Sequence, residues 1–306
     1  MSIKEHPPQS NNNDSSTLHI PVLLQSTLTA LKPKPGESYL DLTAGYGGHA
    51  SRVLSATQEY TTSVLVDRDI NAITYLRQSY DWPVRLLHTD FAQAAKQLVS
   101  EGAAFDIILA DLGVSSPQLD KSERGFSFLR NGPLDMRMDS RLDVTAAKVV
   151  NTYSADALKK IIVRYGEESP SVAKRIVDGI LAGRPYSTTE TLATAIEQSL
   201  GGRRGKKKHP ATRTFQALRI EVNQELQQVE NLLPLIPKLL NKGGRVGIIS
   251  FHSLEDRLIK QYFKEQADSG YEAELQILTK KPLDGATYDV HNPRSRSAKL
   301  RAAVKK

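Results

Sequence analysis

Four short apolar runs, spaced by amphipathic segments, constrain this chain more than any other feature. Residues 38–43, 62–67, 84–88 and Phe105–Asp111 read as strands. Between them, residues 48–56, 70–80 and 92–99 carry apolar side chains at helical spacing, as in Ile70, Ile73 and Leu76. Continuous apolar strands alternating with such helices form a parallel sheet covered on both faces. The expected fold is therefore a doubly wound, Rossmann-like α/β domain.

The rhythm stops after Asp111. Residues 112–143 are irregular and carry Gly113, Pro117, Gly125, Gly132 and Pro133, and a loop of this length points to function. Helices are expected over 144–151, 155–163, 171–181 and 188–199, the last capped by Thr188. Phe215, Leu218, Val222, Leu226, Val229 and Leu233 then form one apolar stripe, which predicts a single long helix. A fifth strand follows at 243–251, then a helix capped by Ser253, with 274–279 and 298–304 supplying the last strands. This divides the chain into a polar tail at 1–16 expected to be disordered, an α/β domain at 17–112 and 213–306, and an inserted, mainly helical subdomain at 113–212.

The 306 residues include no cysteine, which removes disulfides, Cys-ligated zinc, iron–sulfur clusters and thiolate nucleophiles. No apolar run is long enough to span a bilayer, so a cytoplasmic protein is expected. The net charge is +7. From Gly201 to Ile220 there are seven Lys or Arg and no acid, and from His291 to Lys306 six more and no acid. Two acid-free basic runs point towards nucleic acid.

The first strand leads into a turn, Asp41-Leu42-Thr43-Ala44-Gly45-Tyr46-Gly47-Gly48-His49. A Gly-rich strand-to-helix turn suits a nucleotide cofactor, although it can also be purely structural. Acids at successive strand ends narrow the choice. Asp67 lies twenty residues beyond Gly47, where a ribose-binding carboxylate belongs in either an NAD or an S-adenosylmethionine site. Asp41 would repel a pyrophosphate but suits a cationic amino group, and Asp90-Phe91 offers an acceptor and a ring for adenine. Together they favour S-adenosylmethionine.

From Asp111 onward the chain resembles one family. Asp111-Leu112-Gly113-Val114-Ser115-Ser116-Pro117-Gln118, Arg124-Gly125-Phe126-Ser127-Phe128, Gly132-Pro133-Leu134-Asp135-Met136-Arg137-Met138-Asp139 and Ser250-Phe251-His252-Ser253-Leu254-Glu255-Asp256-Arg257 are similar to the signature of the bacterial ribosomal RNA small subunit methyltransferase H, or MraW, family. The resemblance implies a class I S-adenosyl-L-methionine-dependent methyltransferase with an inserted helical subdomain. Its reaction would be N4-methylation of a cytidine in the decoding centre of 16S ribosomal RNA, with that RNA or the small ribosomal subunit as partner. Carried over by motif, Gly47, Gly48, His49, Asp67, Phe91, Asp111 and Gln118 would bind cofactor. Leu42, Ala44 and Tyr46 depart from the expected turn, and the stretch 266–290 is shorter than expected.

Chemistry supports an amine target. The cytosine N4 lone pair is delocalised into the ring, so an enzyme can help by accepting hydrogen bonds from N4–H and aligning the amine. Asp111, Ser115 and Ser116 are the candidate catalytic residues. Methylation at C5 needs a thiolate that this chain lacks. His49 is expected to shape the turn or touch cofactor, His252 to cap a helix, and Arg137 and the run 203–209 to contact RNA phosphates. No metal is expected, and the sequence leaves a homodimer open. A methyltransferase for a small molecule or a protein side chain is the alternative, and a non-enzymatic RNA-binding protein a further one.

Overall fold

The computed structural model describes residues 21–202 and 209–306, apart from the side chains of Ser116 and Pro117. The tail expected at 1–16 and the basic residues 203–208 lie outside the described residues. In chain order the elements are α1 (Leu24–Leu31), β1 (Tyr39–Asp41), α2 (Gly48–Thr57), β2 (Val64–Asp67), α3 (Ile70–Ser79), β3 (Arg85–His88), α4 (Phe91–Ser100), β4 (Phe105–Asp111) and the short α5 (Ser116–Asp120). A helical layer follows: α6 (Ala146–Thr152), α7 (Ala155–Gly166), α8 (Pro170–Ala182), α9 (Thr189–Ser199) and α10 (Thr212–Asn223). The sheet is completed through α11 (Glu225–Leu232), α12 (Ile236–Leu239), β5 (Leu240–Ser250), α13 (Ser253–Asp268), β6 (Leu275–Ile277), β7 (Leu283–Asp284), α14 (Gly285–Tyr288) and β8 (Lys299–Lys305).

The sheet order is β3-β2-β1-β4-β5-β8-β6, with β7 also on β8. The first five strands are parallel, and β8 runs antiparallel to β5. The order reverses between β1 and β4, which opens a crevice beyond their carboxyl ends. Strand alternation divides the apolar residues between two cores. Leu40, Ile108, Ala110 and Ile248 face α4, α12 and α13, whereas Tyr39, Ile107, Leu109 and Ile249 face α1 and α2. Asp69, Asp90, Ser154, Ser169 and Thr188 each cap a helix by accepting a backbone N–H.

Two expectations are corrected. The long helix through 215–233 is broken at Gln224, whose φ of 51° is left-handed. Phe215, Leu218 and Val222 pack in the helical layer, while Val229, Leu232 and Leu233 pack under the sheet, so one continuous stripe serves two cores. The buried Asn223 holds the break: its Oδ1 accepts from Met138 N at 2.8 Å, and its Nδ2 donates to the carbonyls of Met136 and Arg219 at 2.8 and 2.9 Å. The cap of α13 is His252, not Ser253, because Ser253 already lies inside the helix and turns its hydroxyl to Glu167. Among the described residues, no helix is long and apolar enough to cross a membrane.

Candidate active site

The turn after β1 is tied down from three strands. Asp41 is buried, with Oδ2 accepting from Tyr39 Oη at 2.7 Å and Oδ1 from Thr43 N at 3.0 Å. Both of its oxygens therefore already serve the fold, and Asp41 contributes a nearby negative charge. Thr43 Oγ1 accepts from Asp111 N at 2.6 Å, joining the turn to the end of β4. Asp67 closes the turn from β2, with Oδ2 accepting from Gly45 N at 2.7 Å and Oδ1 from Asp69 N at 2.8 Å.

The glycines divide by role. Gly47 begins α2 with a left-handed φ of 81°, and a Cβ there would lie 2.8 Å from the Tyr80 ring. A Cβ on Gly48 would lie 2.6 Å from Pro21. Close packing thus requires these two glycines. Gly45, with φ 53°, is different: a Cβ there would meet only Thr43 O, at 3.9 Å, so this is the glycine with open space beside it.

His49, on the first turn of α2, is buried, and its Nε2 lies 3.6 Å from Asp111 Oδ2. Neither ring nitrogen makes a well-formed hydrogen bond, and burial depresses the imidazole to about 4, with the Val22 backbone opposing slightly. The contact is accordingly between a neutral ring and a carboxyl group, not an ion pair. Asp111 is itself pushed well above the ordinary carboxylate range by burial, then by the charges of Asp41 and Glu255. Its Oδ1 and the buried Ser115 Oγ lack hydrogen-bond partners. The Ser116 side chain lies outside the described residues.

Gln118 is buried, with both ends of its amide bonded. Its Oε1 accepts from Ser115 N at 3.0 Å, and its Nε2 donates to Asp69 Oδ2 at 2.9 Å. Arg124 donates to the same oxygen at 2.8 Å and also holds the carbonyls of Arg137 and Met138. This Asp69–Gln118–Arg124 centre was not singled out from the sequence; the only sign was Asp69 immediately before α3, a capping position. Phe91 begins α4 and packs against the sheet core behind the Asp90 cap. Arg137 is turned inward, bonding Asp135 at 2.8 Å and the carbonyls of Ser140 and Leu142 at 2.9 and 2.7 Å, so its guanidinium is occupied.

On the far side, His252 Nε2 lies 3.2 Å from the buried Glu255 Oε1, but poorly aligned for a hydrogen bond. Burial acts to raise Glu255, yet His252, Arg219 and the Phe251 amide together hold it low. Glu225, His252 and Glu255 present ligand-type atoms within 4.8 Å of one another. Glu225, however, already receives a two-pronged bond from Arg219 at 2.9 and 2.8 Å, so the protein supplies the cation itself.

A cationic ligand fits this crevice. Burial raises Asp41 and Asp67 each to about 6 and pushes Asp111 well above the ordinary carboxylate range, and the neighbouring carboxylates add to the rise. The sulfonium and ammonium of S-adenosylmethionine would satisfy such a donor set. Asp67 and Asp111 are the carboxylates that could hold it, with room beside Gly45.

The pattern of the MraW methylase family matches residues 16–306. The ribosomal RNA small subunit methyltransferase H of Acidobacterium capsulatum is 44% identical over 298 residues, covering 94% of this chain and 98% of that protein. The protein of the same name from a Cyanothece species is 47% identical over 290 residues, covering 94% of each chain. That of a Synechocystis species is 44% identical over 297 residues, covering 94% of this chain and 93% of the relative.

Proposed function

This chain belongs to the MraW methylase family, and we propose that it methylates N4 of a cytidine in the decoding centre of 16S ribosomal RNA, acting in the cytoplasm on that RNA or the small subunit. The observation that carries the reading is the pair Asp111 Oδ1 and Ser115 Oγ. These are buried polar atoms without partners, at the carboxyl end of β4 and beside the glycine turn. An exocyclic amine is a donor group that needs such acceptors.

S-adenosylmethionine, when bound, supplies an electrophilic sulfonium methyl. The chain's own residues do the rest. Asp67 would take ribose hydroxyls, and Gly45, having no Cβ, leaves space beside the turn. Asp111 and Ser115, with Ser116, accept from N4–H, which localises the nitrogen lone pair and orients it. Transfer would form the N4–carbon bond at the expense of the carbon–sulfur bond and would leave the nitrogen one proton to lose. Asp111 Oδ1 suits that task, since its raised pKa makes it a stronger base than an ordinary carboxylate. His49, neutral and buried, packs against Asp111 without adding a charge to it.

Nucleoside mass spectrometry of 16S RNA from cells with and without the gene tests the reading. Loss of N4-methylcytidine on deletion is expected. An unchanged signal would refute the substrate, and methylation of a small molecule or a protein side chain would replace it.

A further inference from the structure

Arg137 commits most of its N–H groups to Asp135, Ser140 and Leu142, so exposed cations elsewhere are further candidates for contact with RNA. Among the described residues, Leu129 is an exposed large apolar side chain, at 85%. Isolated exposed leucines are ordinary; what sets this one apart is its mounting. Phe128 beside it is wedged between His209 and Phe215, with ring centroids 4.7 and 4.8 Å away. Leu129 N donates to Ser127 Oγ at 3.2 Å, and Gly132 N donates to Thr189 Oγ1 at 3.2 Å. A large apolar group is thus held out in water on a braced turn.

Two cations flank it through one residue. Arg130 donates to the carbonyl of Asp120 at 3.0 Å, and Arg294, from the far end of the chain, donates to the Asp120 carboxylate at 2.9 and 2.8 Å. Both arginines are exposed and retain N–H groups for a further acceptor. Asp120 ends the helix that begins at Ser116, so the pair stands one short helix, about 7 Å of rise, from Ser115.

Resting on the RNA reading above, we infer that Leu129 is an apolar wedge against a base neighbouring the target cytidine and that Arg130 and Arg294 clamp the adjoining phosphates. A target base must leave its stack to reach Asp111, and a side chain that covers the exposed face of its neighbour offsets the lost stacking. Arginine forks match phosphate geometry. A protein partner would require a larger apolar patch than one leucine whose chain neighbours include Ser127, Arg130 and Asn131.

The test uses full-length L129A, R130A/R294A and R130K/R294K with small subunits from cells lacking the gene. L129A and R130A/R294A are each expected to lower kcat/KM for subunits about ten-fold or more, with S-adenosylmethionine affinity in calorimetry at the wild-type value. R130A/R294A should also flatten the slope of log affinity against log salt by about one to two, and the lysine pair should restore it. A photoreactive residue at position 129 should crosslink to 16S RNA. Wild-type affinity and salt slope in both alanine variants, or a crosslink to a ribosomal protein or a second copy, would overturn the inference. Absence of methyl transfer by the wild-type enzyme would instead refute the reaction, and subunit affinity and crosslinking would still decide the surface.

Discussion

Gln118 Nε2 donates to Asp69 Oδ2 at 2.9 Å, and through this bond the loop carrying Ser115 is fixed to the strand that carries Asp67. Gln118 therefore stands between the cofactor side and the substrate side of the crevice. Gln118→Ala removes a bond to a charged group worth about 1.5–3 kcal/mol and frees the Ser115 amide. The expected result is a fall in single-turnover rate on subunits of about ten-fold or more, with a smaller change in S-adenosylmethionine affinity. A collapse in cofactor affinity at unchanged rate would make Gln118 a direct cofactor ligand, the role implied by the family resemblance.

Asp67 makes cofactor binding depend on pH. Burial, then the charge of Asp69, raises its folded pKa to about 6, so in the free protein it holds a proton over roughly pH 4 to 6. Holding that proton stabilises the fold at low pH, and the contribution is lost as pH rises through about 6. Ribose hydroxyls need the ionised acceptor, so affinity should rise about ten-fold per pH unit below 6 and level off above it. Calorimetry across this range should also show proton release on binding. Asp67→Asn should weaken binding and flatten the profile.

His49 behaves in the opposite sense. Burial lowers its pKa to about 4, so between about pH 4 and 6.5 the unfolded chain binds the proton that the folded chain refuses. Stability from this group is present above the unfolded value and is lost as pH falls through the folded one, by an amount on the order of 3 kcal/mol. His49→Gln should make thermal unfolding less sensitive to acid over that window. It should leave the rate profile near pH 6.5 unchanged, because the ring is already neutral there.

The α/β half was legible because its period survives in the residues: strand ends at Asp41, Asp67 and Asp111 could be picked out along with the turn. The break at Gln224 was not. Its left-handed backbone is set by Asn223 bonding Met136 and Met138, more than eighty residues away, while the apolar stripe runs through it unchanged. Asn223→Ala should destabilise by about 2–4 kcal/mol by leaving two buried backbone groups unpaired. Gln224→Gly, relieving the left-handed conformation, should stabilise by up to about 1 kcal/mol. Thermal denaturation reads both. The Asp69–Arg124 pairing was hidden for the same reason, since it joins residues 55 apart in sequence.

Asp111→Asn separates orienting the amine from binding the cofactor. The amide keeps the size of the side chain and the bond from Asp111 N to Thr43, which is a backbone donor. It replaces one acceptor oxygen by a donor, which would face the N4–H donors of the base, and it removes the basic oxygen that takes the departing proton. It also removes a negative charge from the crowd formed with Asp41 and Glu255, so their mutual repulsion falls and the fold should gain stability at any pH where Asp111 would be ionised. If Asp111 serves the amine, single-turnover methylation at saturating S-adenosylmethionine should drop by about 100-fold or more, while cofactor affinity changes much less. If affinity collapses and the saturated rate survives, Asp111 serves the cofactor alone, and Ser115 with Ser116 must provide the acceptors for N4.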